Sequence, residues 1–263
     1  MSDMTGQHAI VFGGESGIGK AATASLAQRG VSVLIAGINS EAGHATEAEM
    51  RNQGFKATYF PVDVRERKTI EAAVAAAKES SGKLEILVYS SGVYDAYAST
   101  LETTEELWDQ VMEINLKGCF RACQVALPTM IAQNYGRIIA VASIASYIGT
   151  ADGVAYTTSK SGMLGMVRHI GCMHASQGIT MNAVCPGIIE TELRANSAKV
   201  LGEAAPSMSK GIGSTPDAYK SYVPAKRRGQ IGEVGELIAF LADPCAGYMT
   251  GGSVLIDGGW VAA

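Results

Sequence analysis

Two Tyr-x-x-x-Lys spacings occur in the chain, and either could form an acid/base centre. The pairs are Tyr156 with Lys160 and Tyr222 with Lys226. Side chains four residues apart share one face of an α-helix, so the two groups of such a pair can meet. No proline lies within the first pair, whereas Pro224 inside the second disfavours a helix there. We therefore predict that the first pair carries chemistry and that the second does not.

A tyrosine beside a lysine is suited to proton transfer. The phenol of a free tyrosine has a pKa near 10, which is too high for a base at neutral pH. An ammonium group one helical turn away favours the phenolate, and lowering the pKa by about 2.5 units takes about 3.4 kcal/mol. We therefore expect Lys160 to lower the pKa of Tyr156.

Short runs rich in β-branched residues alternate with longer helical patterns along the chain. The predicted strands are 8–12, 31–36, 57–62, 84–89, 137–142, 179–184 and 253–256. The predicted helices are 17–29, 41–53, 69–80, 104–133 (with a bend before Pro128) and 153–176. Such alternation indicates βαβ crossovers. We expect one α/β domain over 1–263: a doubly wound, seven-stranded parallel sheet with helices on both faces.

The turn between the first strand and the first helix is rich in glycine. It reads Gly13-Gly14-Glu15-Ser16-Gly17-Ile18-Gly19. Glycines let the backbone turn sharply and approach a pyrophosphate. The helix that follows offers free N–H groups and the positive end of its dipole. Because a strand precedes this turn and a helix follows it, we predict a Rossmann-type dinucleotide site.

Further motifs, taken in order, make the chain resemble the short, single-domain branch of the short-chain dehydrogenase/reductase family. The matching positions are Gly13-x3-Gly17-x-Gly19, Asn115, Ser143, Tyr156 with Lys160, residues 182–191 and Asp257-Gly258-Gly259. The match covers essentially the whole chain. The resemblance implies an NAD(P)-dependent alcohol dehydrogenase or carbonyl reductase, which transfers a hydride between nicotinamide and a secondary alcohol or ketone.

The resemblance implies a role for each of four catalytic residues. Tyr156 would be the general acid or base for the substrate oxygen, and Ser143 would polarise this oxygen. Lys160 would also bind the ribose hydroxyls of the cofactor. Asn115 would hold a water that passes protons out through Lys160. A catalytically silent dinucleotide sensor or scaffold is the alternative, and the intact set of four argues against it.

The resemblance also implies which residues bind the cofactor. They are Gly13, Glu15, Ser16, Gly17, Ile18, Gly19, Gly37, Ile38, Asp63, Val64, Ser90, Ser91, Gly92, Tyr156, Lys160, Pro186, Gly187, Ile189 and Thr191. Among them, Asp63 would cap or bind the adenine, and Val64 would pack on its ring.

Substrate groups are expected from the loops at the carboxyl ends of the strands. The candidates are Val93, Tyr94, Ser143, Ile144, Ala145, Gly149, Gly153, Tyr156, Gly187 and Ile188. Residues 192–224 are rich in Ser, Gly, Lys and Pro and show weak apolar periodicity, so we expect a loop that serves as a substrate lid. A disordered segment is the alternative. This segment has few large aromatic residues, so nothing supports a steroid-like substrate.

The positions that usually distinguish NAD from NADP carry no direct signal. In NAD-specific proteins of this type the second strand usually ends in Asp or Glu, but this position is Gly37 here. NADP readers of the family often carry Arg one place later, where Ile38 stands, and Ser16 instead of a basic residue precedes Gly17. A 2′-phosphate would lie near Glu15 without an evident cation. We therefore expect NAD, with NADP as the alternative.

Two positions depart from the family pattern at the cofactor turn. Phe12 replaces the usual Thr before the first glycine, and Tyr89-Ser90-Ser91-Gly92 replaces Asn-Asn-Ala-Gly. In the family, that Thr ties the turn to this segment by hydrogen bonds. We expect packing between Phe12 and Tyr89 to replace the tie.

Two groups of relatives are disfavoured. Enoyl reductases of the superfamily place a tyrosine six residues before the lysine, where this chain has Val154. Epimerase and dehydratase relatives have a different glycine spacing and an additional substrate domain, for which 263 residues leave little room.

Composition limits the remaining possibilities. Hydrophobic residues make up 47% and charged residues 17%, as in a globular protein, and a net charge of −4 gives no basic surface for nucleic acid. Without a signal peptide or a long apolar run, we expect a cytoplasmic protein with no membrane partner. Five cysteines without a C-x-x-C motif predict neither disulfides nor a metal site, and Cys119 and Cys123 are expected in the core. The resemblance implies a homotetramer, with the two longest helices and the last strand at its interfaces.

Overall fold

A seven-stranded parallel sheet forms the centre of the fold. The computed structural model describes residues 2–79, 81–212 and 217–263. The strands are β1 (His8–Phe12), β2 (Ser32–Gly37), β3 (Ala57–Pro61), β4 (Ile86–Tyr89), β5 (Gly136–Val141), β6 (Ile179–Pro186) and β7 (Ser253–Ile256). They lie in the order β3-β2-β1-β4-β5-β6-β7, and every neighbouring pair is parallel. The predicted fold class is therefore confirmed.

Helices cover both faces of the sheet. In the described residues they are α1 (Gly17–Ala27), α2 (Ser40–Asn52), α3 (Arg67–Ala77), α4 (Glu105–Met112), α5 (Gly118–Ala132), α6 (Val154–Met173), α7 (Leu193–Leu201) and α8 (Ile231–Ala242). Alternate residues of β1 face opposite sides, as the pleat of a strand requires. Ile10 and Phe12 join the core under α3 to α6, which also contains the cysteines at 119 and 123, whereas Ala9 and Val11 join the core under α1 and α8.

Two helices lie where the sequence patterns predict none. α8 begins with a capping box formed by Gln230 and Glu233. α7 buries just Ser197 and Leu201, which explains its weak apolar periodicity. The expectation of an irregular loop over the whole of 192–224 is therefore wrong for α7. Residues 213–216 of that segment, and the predicted helix end at position 80, lie outside the described residues.

The long predicted helix at 104–133 contains an irregular turn. A π-helical segment, Glu113–Lys117, joins α4 to α5 and carries Asn115. Pro128, before which a bend is expected, lies inside α5. Single π-helical turns are rare and are frequent at functional sites. The local irregularity of this helix thus lies at a predicted catalytic residue.

The packing predicted between Phe12 and Tyr89 is present at the ends of β1 and β4. The ring centroids are 5.9 Å apart, and both side chains are fully buried. The Tyr89 hydroxyl donates a hydrogen bond of 2.5 Å to the carbonyl of Ile114. The N–H of Ser90 donates to the carbonyl of Phe12 at 2.8 Å. The first and fourth turns are therefore joined by ring packing and by a backbone hydrogen bond.

Candidate active site

A cleft of about 540 Å³ opens at the carboxyl ends of the strands. The strand order reverses between β1 and β4, and α/β sheets bind ligands at such a switch point. The predicted residues that line the cleft are Gly13, Glu15, Ser16, Gly17, Ile18, Ile38, Asp63, Val64, Ser90, Ser91, Gly92, Val93, Ser143, Tyr156, Lys160, Pro186, Gly187, Ile189 and Thr191. Turns that are far apart in the sequence thus meet in one cavity.

The glycine turn leaves room for a close approach of phosphate groups. Gly13 has a φ of +74°, and a Cβ atom there would stand 2.7 Å from the backbone nitrogen of Ser91. A Cβ atom on Gly19 would overlap the carbonyl group of Gly13, so Gly19 packs beneath the turn instead of lining the cleft. Ser16 precedes α1 and makes no side-chain cap hydrogen bond, which leaves N–H groups of the first helical turn for a ligand. The turn fits a dinucleotide.

Tyr156 and Lys160 lie on the same face of α6, as their spacing predicts. Their exposed fractions are 8% and 4%. The Nζ atom of Lys160 lies 5.5 Å from the centroid of the tyrosine ring. It donates a hydrogen bond of 2.7 Å to the carbonyl of Val141, at the end of β5. The lysine is therefore buried between α6 and the sheet, where it can reach a ligand in the cleft.

Ser143 brings a hydroxyl group to the same point from β5. It precedes the short 3₁₀-helix Ile144–Ser146, and its Oγ atom accepts a hydrogen bond of 3.1 Å from the N–H of Ala145. Its side chain also lies close enough to Tyr156 to lower the pKa of the phenol. A serine hydroxyl has one proton to donate and two acceptor positions, so it can bridge the phenol and a substrate oxygen.

Asn115 is fully buried behind this group and connects three segments. Its Nδ2 atom donates to the carbonyl of Val93 and to Oγ of Ser159, each at 3.0 Å. Its Oδ1 atom accepts from the N–H of Val93 at 2.8 Å. Both amide protons are thus used within the protein. A water bound to the side chain of Asn115 would donate to the remaining lone pair of Oδ1.

The protein by itself does not lower the pKa of Tyr156. Burial raises this pKa and the carboxylates of Asp152 and Asp95 raise it further, while the hydrogen bond with Ser143 lowers it. Burial also lowers the pKa of Lys160, to about 8. Burial penalises the charged forms of both groups, so in the protein by itself it outweighs the effect expected of the lysine on this pKa.

Two carboxylates beside Tyr156 were missed by sequence reasoning. Asp95 is fully buried, and its Oδ2 atom accepts a hydrogen bond of 2.9 Å from the N–H of Tyr156, at the start of α6. A Cβ atom on Gly153 would overlap this carboxylate, so the glycine before the helix was a signal for a close neighbour. Burial raises the pKa of Asp152 to about 7, and a hydrogen bond with Tyr94 opposes this effect.

Several predicted substrate residues support the site from behind instead of lining it. Tyr94 and Ala145 pack around Tyr156, with the two tyrosine rings edge to face and 5.5 Å apart. Ile188 lines a separate cavity of about 80 Å³, beside Val223. The cleft lining also excludes Ile144, Gly149 and Gly153. Ile144 belongs to the same buried cluster as Tyr94 and Ala145, whereas Gly149 is exposed.

The cleft is also lined by residues that the sequence did not indicate, which are Asn39, Ala42, Val62, Arg65, Ile114, Val141 and Ala142. The segment expected to serve as a lid contributes Glu192, Leu193, Asn196, Lys199 and Val200. Arg65 binds Asp63 through Nε at 2.9 Å and Nη2 at 2.6 Å. Burial raises the pKa of Asp63, but the hydrogen bonds and charge of Arg65 outweigh it and hold the pKa below its usual value. Gly37, which was predicted to line the cleft, does not do so.

Part of the expected lid is held by one arginine. Arg194 lies on α7, and its Nη1 atom donates to the carbonyls of Met208, at 2.9 Å, and Lys210, at 2.7 Å. Its guanidinium group stacks on the ring of Tyr94, 4.8 Å from the centroid. The chain after α7 is thereby tied to a residue that packs against Tyr156.

The second Tyr-x-x-x-Lys pair does not form a helical dyad. Tyr222 is 50% exposed and packs on Trp260, with ring centroids 5.6 Å apart. Lys226 has a φ of +54°, and its Nζ atom donates to the carbonyl of Lys220 at 2.7 Å. Neither residue lines the cleft.

Two classes of feature are missing from the part of the chain that the structure describes. There, no helix combines the length and the apolar character that a membrane crossing needs. In the same residues, no three His, Cys, Asp or Glu side chains come together in a group that could hold a metal ion.

The chain matches a protein-family model described as enoyl-(acyl carrier protein) reductase, over residues 13–261. It is 32% identical to 3beta-hydroxysteroid dehydrogenase 2 of Eggerthella lenta over 260 residues, which cover 98% of this chain and 96% of that protein. It is 32% identical over 258 residues to a 3-oxoacyl-(acyl-carrier-protein) reductase of Thermotoga maritima, with 98% and 99% covered. The solved structure of levodione reductase superposes with a TM-score of 0.88 at 28% identity, with 98% of this chain and 99% of that chain covered.

Proposed function

The chain belongs to the short-chain dehydrogenase/reductase family, and on this premise we propose that it transfers a hydride between an NAD(P) cofactor and a secondary alcohol or ketone. Members of this family are oxidoreductases that use NAD(P). The observation that carries the proposal is the meeting of Ser143, Tyr156 and Lys160 at one point of the cleft.

Each of these residues has a task in the proposed reaction. The dinucleotide supplies the hydride donor or acceptor, and its oxidised form adds the positive charge that the phenolate of Tyr156 requires. In the reductive direction, Tyr156 donates its hydroxyl proton to the substrate oxygen, which would otherwise remain an alkoxide. Ser143 donates a hydrogen bond to the same oxygen. Lys160 returns a proton to the phenolate. Asn115 links the segments of Val93 and Ser159 behind the site.

A carbonyl or alcohol substrate is favoured over an enoyl substrate. The matching family model carries the description of an enoyl reductase. However, position 154, six residues before Lys160, is a valine, whereas Tyr156 lines the cleft together with Ser143. The printed names of two relatives, a hydroxysteroid dehydrogenase and an oxoacyl reductase, also refer to hydroxyl and oxo groups. A silent dinucleotide-binding protein would not need this arrangement of four polar side chains.

The substitution Tyr156→Phe tests the proposal. It removes the proton donor but keeps the ring that packs on Tyr94. We expect turnover to fall by roughly 10²- to 10⁴-fold, while the dissociation constants for NADH and NADPH stay within a factor of about three. Turnover is followed at 340 nm against a panel of ketones and secondary alcohols, and cofactor binding is followed by energy transfer from protein fluorescence.

Tyr222→Phe is the matched control, because Tyr222 belongs to the other Tyr-x-x-x-Lys pair and lies outside the cleft. This variant should keep full activity. Equal activity of Tyr156→Phe and the unaltered protein would disprove the assignment of the acid/base. If no dinucleotide binds to the unaltered protein, the proposed reaction itself is wrong.

A further inference from the structure

The end of β2 lacks a carboxylate of its own, but a carboxylate from another turn lies there. Gly37 is the last residue of β2. The Cδ, Oε1 and Oε2 atoms of Glu15 all lie within overlap distance of the point where a Cβ atom on Gly37 would stand. Glu15 comes from the glycine turn after β1 and lines the cleft, whereas Gly37 does not. The glutamate therefore occupies the space in which a side chain of residue 37 would begin.

The surroundings hold Glu15 in this place. Oγ1 of Thr46, on α2, donates a hydrogen bond of 3.1 Å to the backbone carbonyl of Glu15. Burial raises the pKa of its carboxyl group, while hydrogen bonds with its own backbone and with the backbone of Asn39 and Ile38 lower it. Its Oε2 atom is buried and has no hydrogen-bond partner among the described residues. A buried acceptor without a donor is unfavourable, so this oxygen is suited to a ligand that brings one.

We propose that Glu15 takes the role of the missing strand-end acid, accepts a hydrogen bond from the 2′-hydroxyl of the adenosine ribose, and makes the site selective for NAD. This inference rests on the proposed dinucleotide function of the cleft. In dinucleotide-binding folds, an acid near the end of the second strand binds this ribose. Here the same space is filled from the glycine turn, and rotation of the terminal carboxyl group, which is a soft torsion, presents Oε2 to the sugar.

The neighbouring charges oppose a 2′-phosphate. Such a phosphate carries about two negative charges and would face the carboxylate of Glu15. Arg65 is the cation on the β3 side of the cleft, but three of its hydrogen bonds go to the carboxylate of Asp63, at 2.6 to 3.0 Å. Binding a phosphate through Arg65 would require this pair to separate. The ribose end of the cleft is therefore suited to a neutral hydroxyl donor.

Because Glu15 overlaps the position of a Cβ atom on Gly37, the carboxylate can be moved from the glycine turn to the end of β2 by mutation. Glu15→Ala empties the space beside Gly37, and the double variant Glu15→Ala/Gly37→Asp returns a carboxylate to it from β2. Gly37→Asp alone would force two carboxyl groups into one place, and we expect a lower melting temperature. The exposed Glu41, in the first turn of α2, gives the charge-matched control Glu41→Ala.

Binding is measured by energy transfer from protein fluorescence to three probes: NADH, NADPH, and an NADH analogue that lacks the adenosine 2′-hydroxyl. We expect the unaltered protein to bind NADH roughly ten to a hundred times more tightly than the analogue, as for a hydrogen bond to a charged acceptor. In Glu15→Ala the ratio of affinities for NADH and the analogue should fall to near one, and the preference for NADH over NADPH should decrease. The double variant should regain both, and Glu41→Ala should keep both. The isosteric Glu15→Gln removes the negative charge, so it should also lose the preference for NADH over NADPH.

Two results would overturn the inference. One is an equal loss of affinity for the deoxy analogue in the unaltered protein and in Glu15→Ala. The other is tighter binding of NADPH than of NADH by the unaltered protein. Either result leaves the proposed reaction intact, because the chain would still bind a dinucleotide. Failure to bind any of the three probes would instead count against the proposed function, and with it against the role of Glu15.

Discussion

Lys160 carries its ammonium group in a buried position, where desolvation disfavours the charge. Its side chain is 4% exposed, and burial lowers its pKa from the usual 10.5 to about 8. Its Nζ atom has the carbonyl of Val141 as an acceptor, but no carboxylate is paired with it among the salt bridges of the described residues. A buried ammonium group of this kind reduces stability, and functional sites often contain such groups.

The burial of Lys160 predicts that the stability difference between the unaltered protein and Lys160→Met depends on pH. Between pH 8 and pH 10.5, the native state has lost the proton of Lys160 while the unfolded chain still binds it. Stability rises with pH wherever the unfolded state binds more protons. The melting temperature of the unaltered protein, relative to Lys160→Met, should therefore rise as the pH goes from 8 to 10, and it should be level below pH 7.

Thermal unfolding of both proteins in matched buffers gives this difference directly. Lys56→Met, at an exposed position, is the control and should show no such trend. A difference between Lys160→Met and the unaltered protein that stays flat over the whole range would mean that the lysine is solvated in the native state.

At the scale of elements, α7 lines one side of the cleft, and Arg194 ties it to the chain that follows. Arg194 binds two backbone carbonyls beyond the helix and stacks on Tyr94. Tyr94 in turn contacts the ring of Tyr156. The arginine therefore connects α7 and the chain after it to the tyrosine that we propose as the acid/base, and it can do so because its planar group serves several partners at once.

We expect Arg194→Ala to loosen residues 202–212. The loss of two hydrogen bonds to the charged group lowers the local opening free energy by about 2–4 kcal/mol, so thermolysin should cleave this segment at least tenfold faster. The products are identified by mass spectrometry. Lys199→Ala, at an exposed position of the same helix, should be cleaved at the rate of the unaltered protein. Equal cleavage of both variants would show that Arg194 does not stabilise residues 202–212.

At the scale of the whole molecule, apolar side chains are exposed on the elements that the family resemblance places at subunit interfaces. Phe120 on α5 is 48% exposed, Met173 on α6 is 61% exposed and Leu255 on β7 is 39% exposed. β7 is also an edge strand of the sheet. Another subunit packed on these elements would remove the three side chains from water, which favours association. These exposures support the proposed homotetramer.

Light scattering tests the assembly. We expect a mass of about four times the chain mass of 27.4 kDa, and a lower mass for Phe120→Glu, because a buried unpaired carboxylate disfavours the interface. Leu101→Glu is the control, since Leu101 is 98% exposed outside these elements and its replacement should leave the mass unchanged. A single-chain mass for the unaltered protein would exclude the tetramer.

The sequence by itself predicted the parallel sheet and the residues that we propose as the reacting groups. Alternating strands and helices are local patterns that imply βαβ crossovers, so a parallel sheet with helices on both faces could be expected. Tyr156, Lys160 and Ser143 could be picked out because their spacing and the order of the surrounding motifs are visible along the chain. α7 could not, because a helix that buries two residues shows almost no apolar period.

Only the tertiary structure decided what surrounds these groups. The carboxylate of Asp95 at the start of α6, the burial of Lys160 and the position of Glu15 over Gly37 all join segments that are distant along the chain. Their consequences also depend on distance and desolvation, which no spacing records. The sequence therefore indicated the residues proposed for catalysis, while the packing of separate turns determined the charges around them and placed Glu15 beside Gly37.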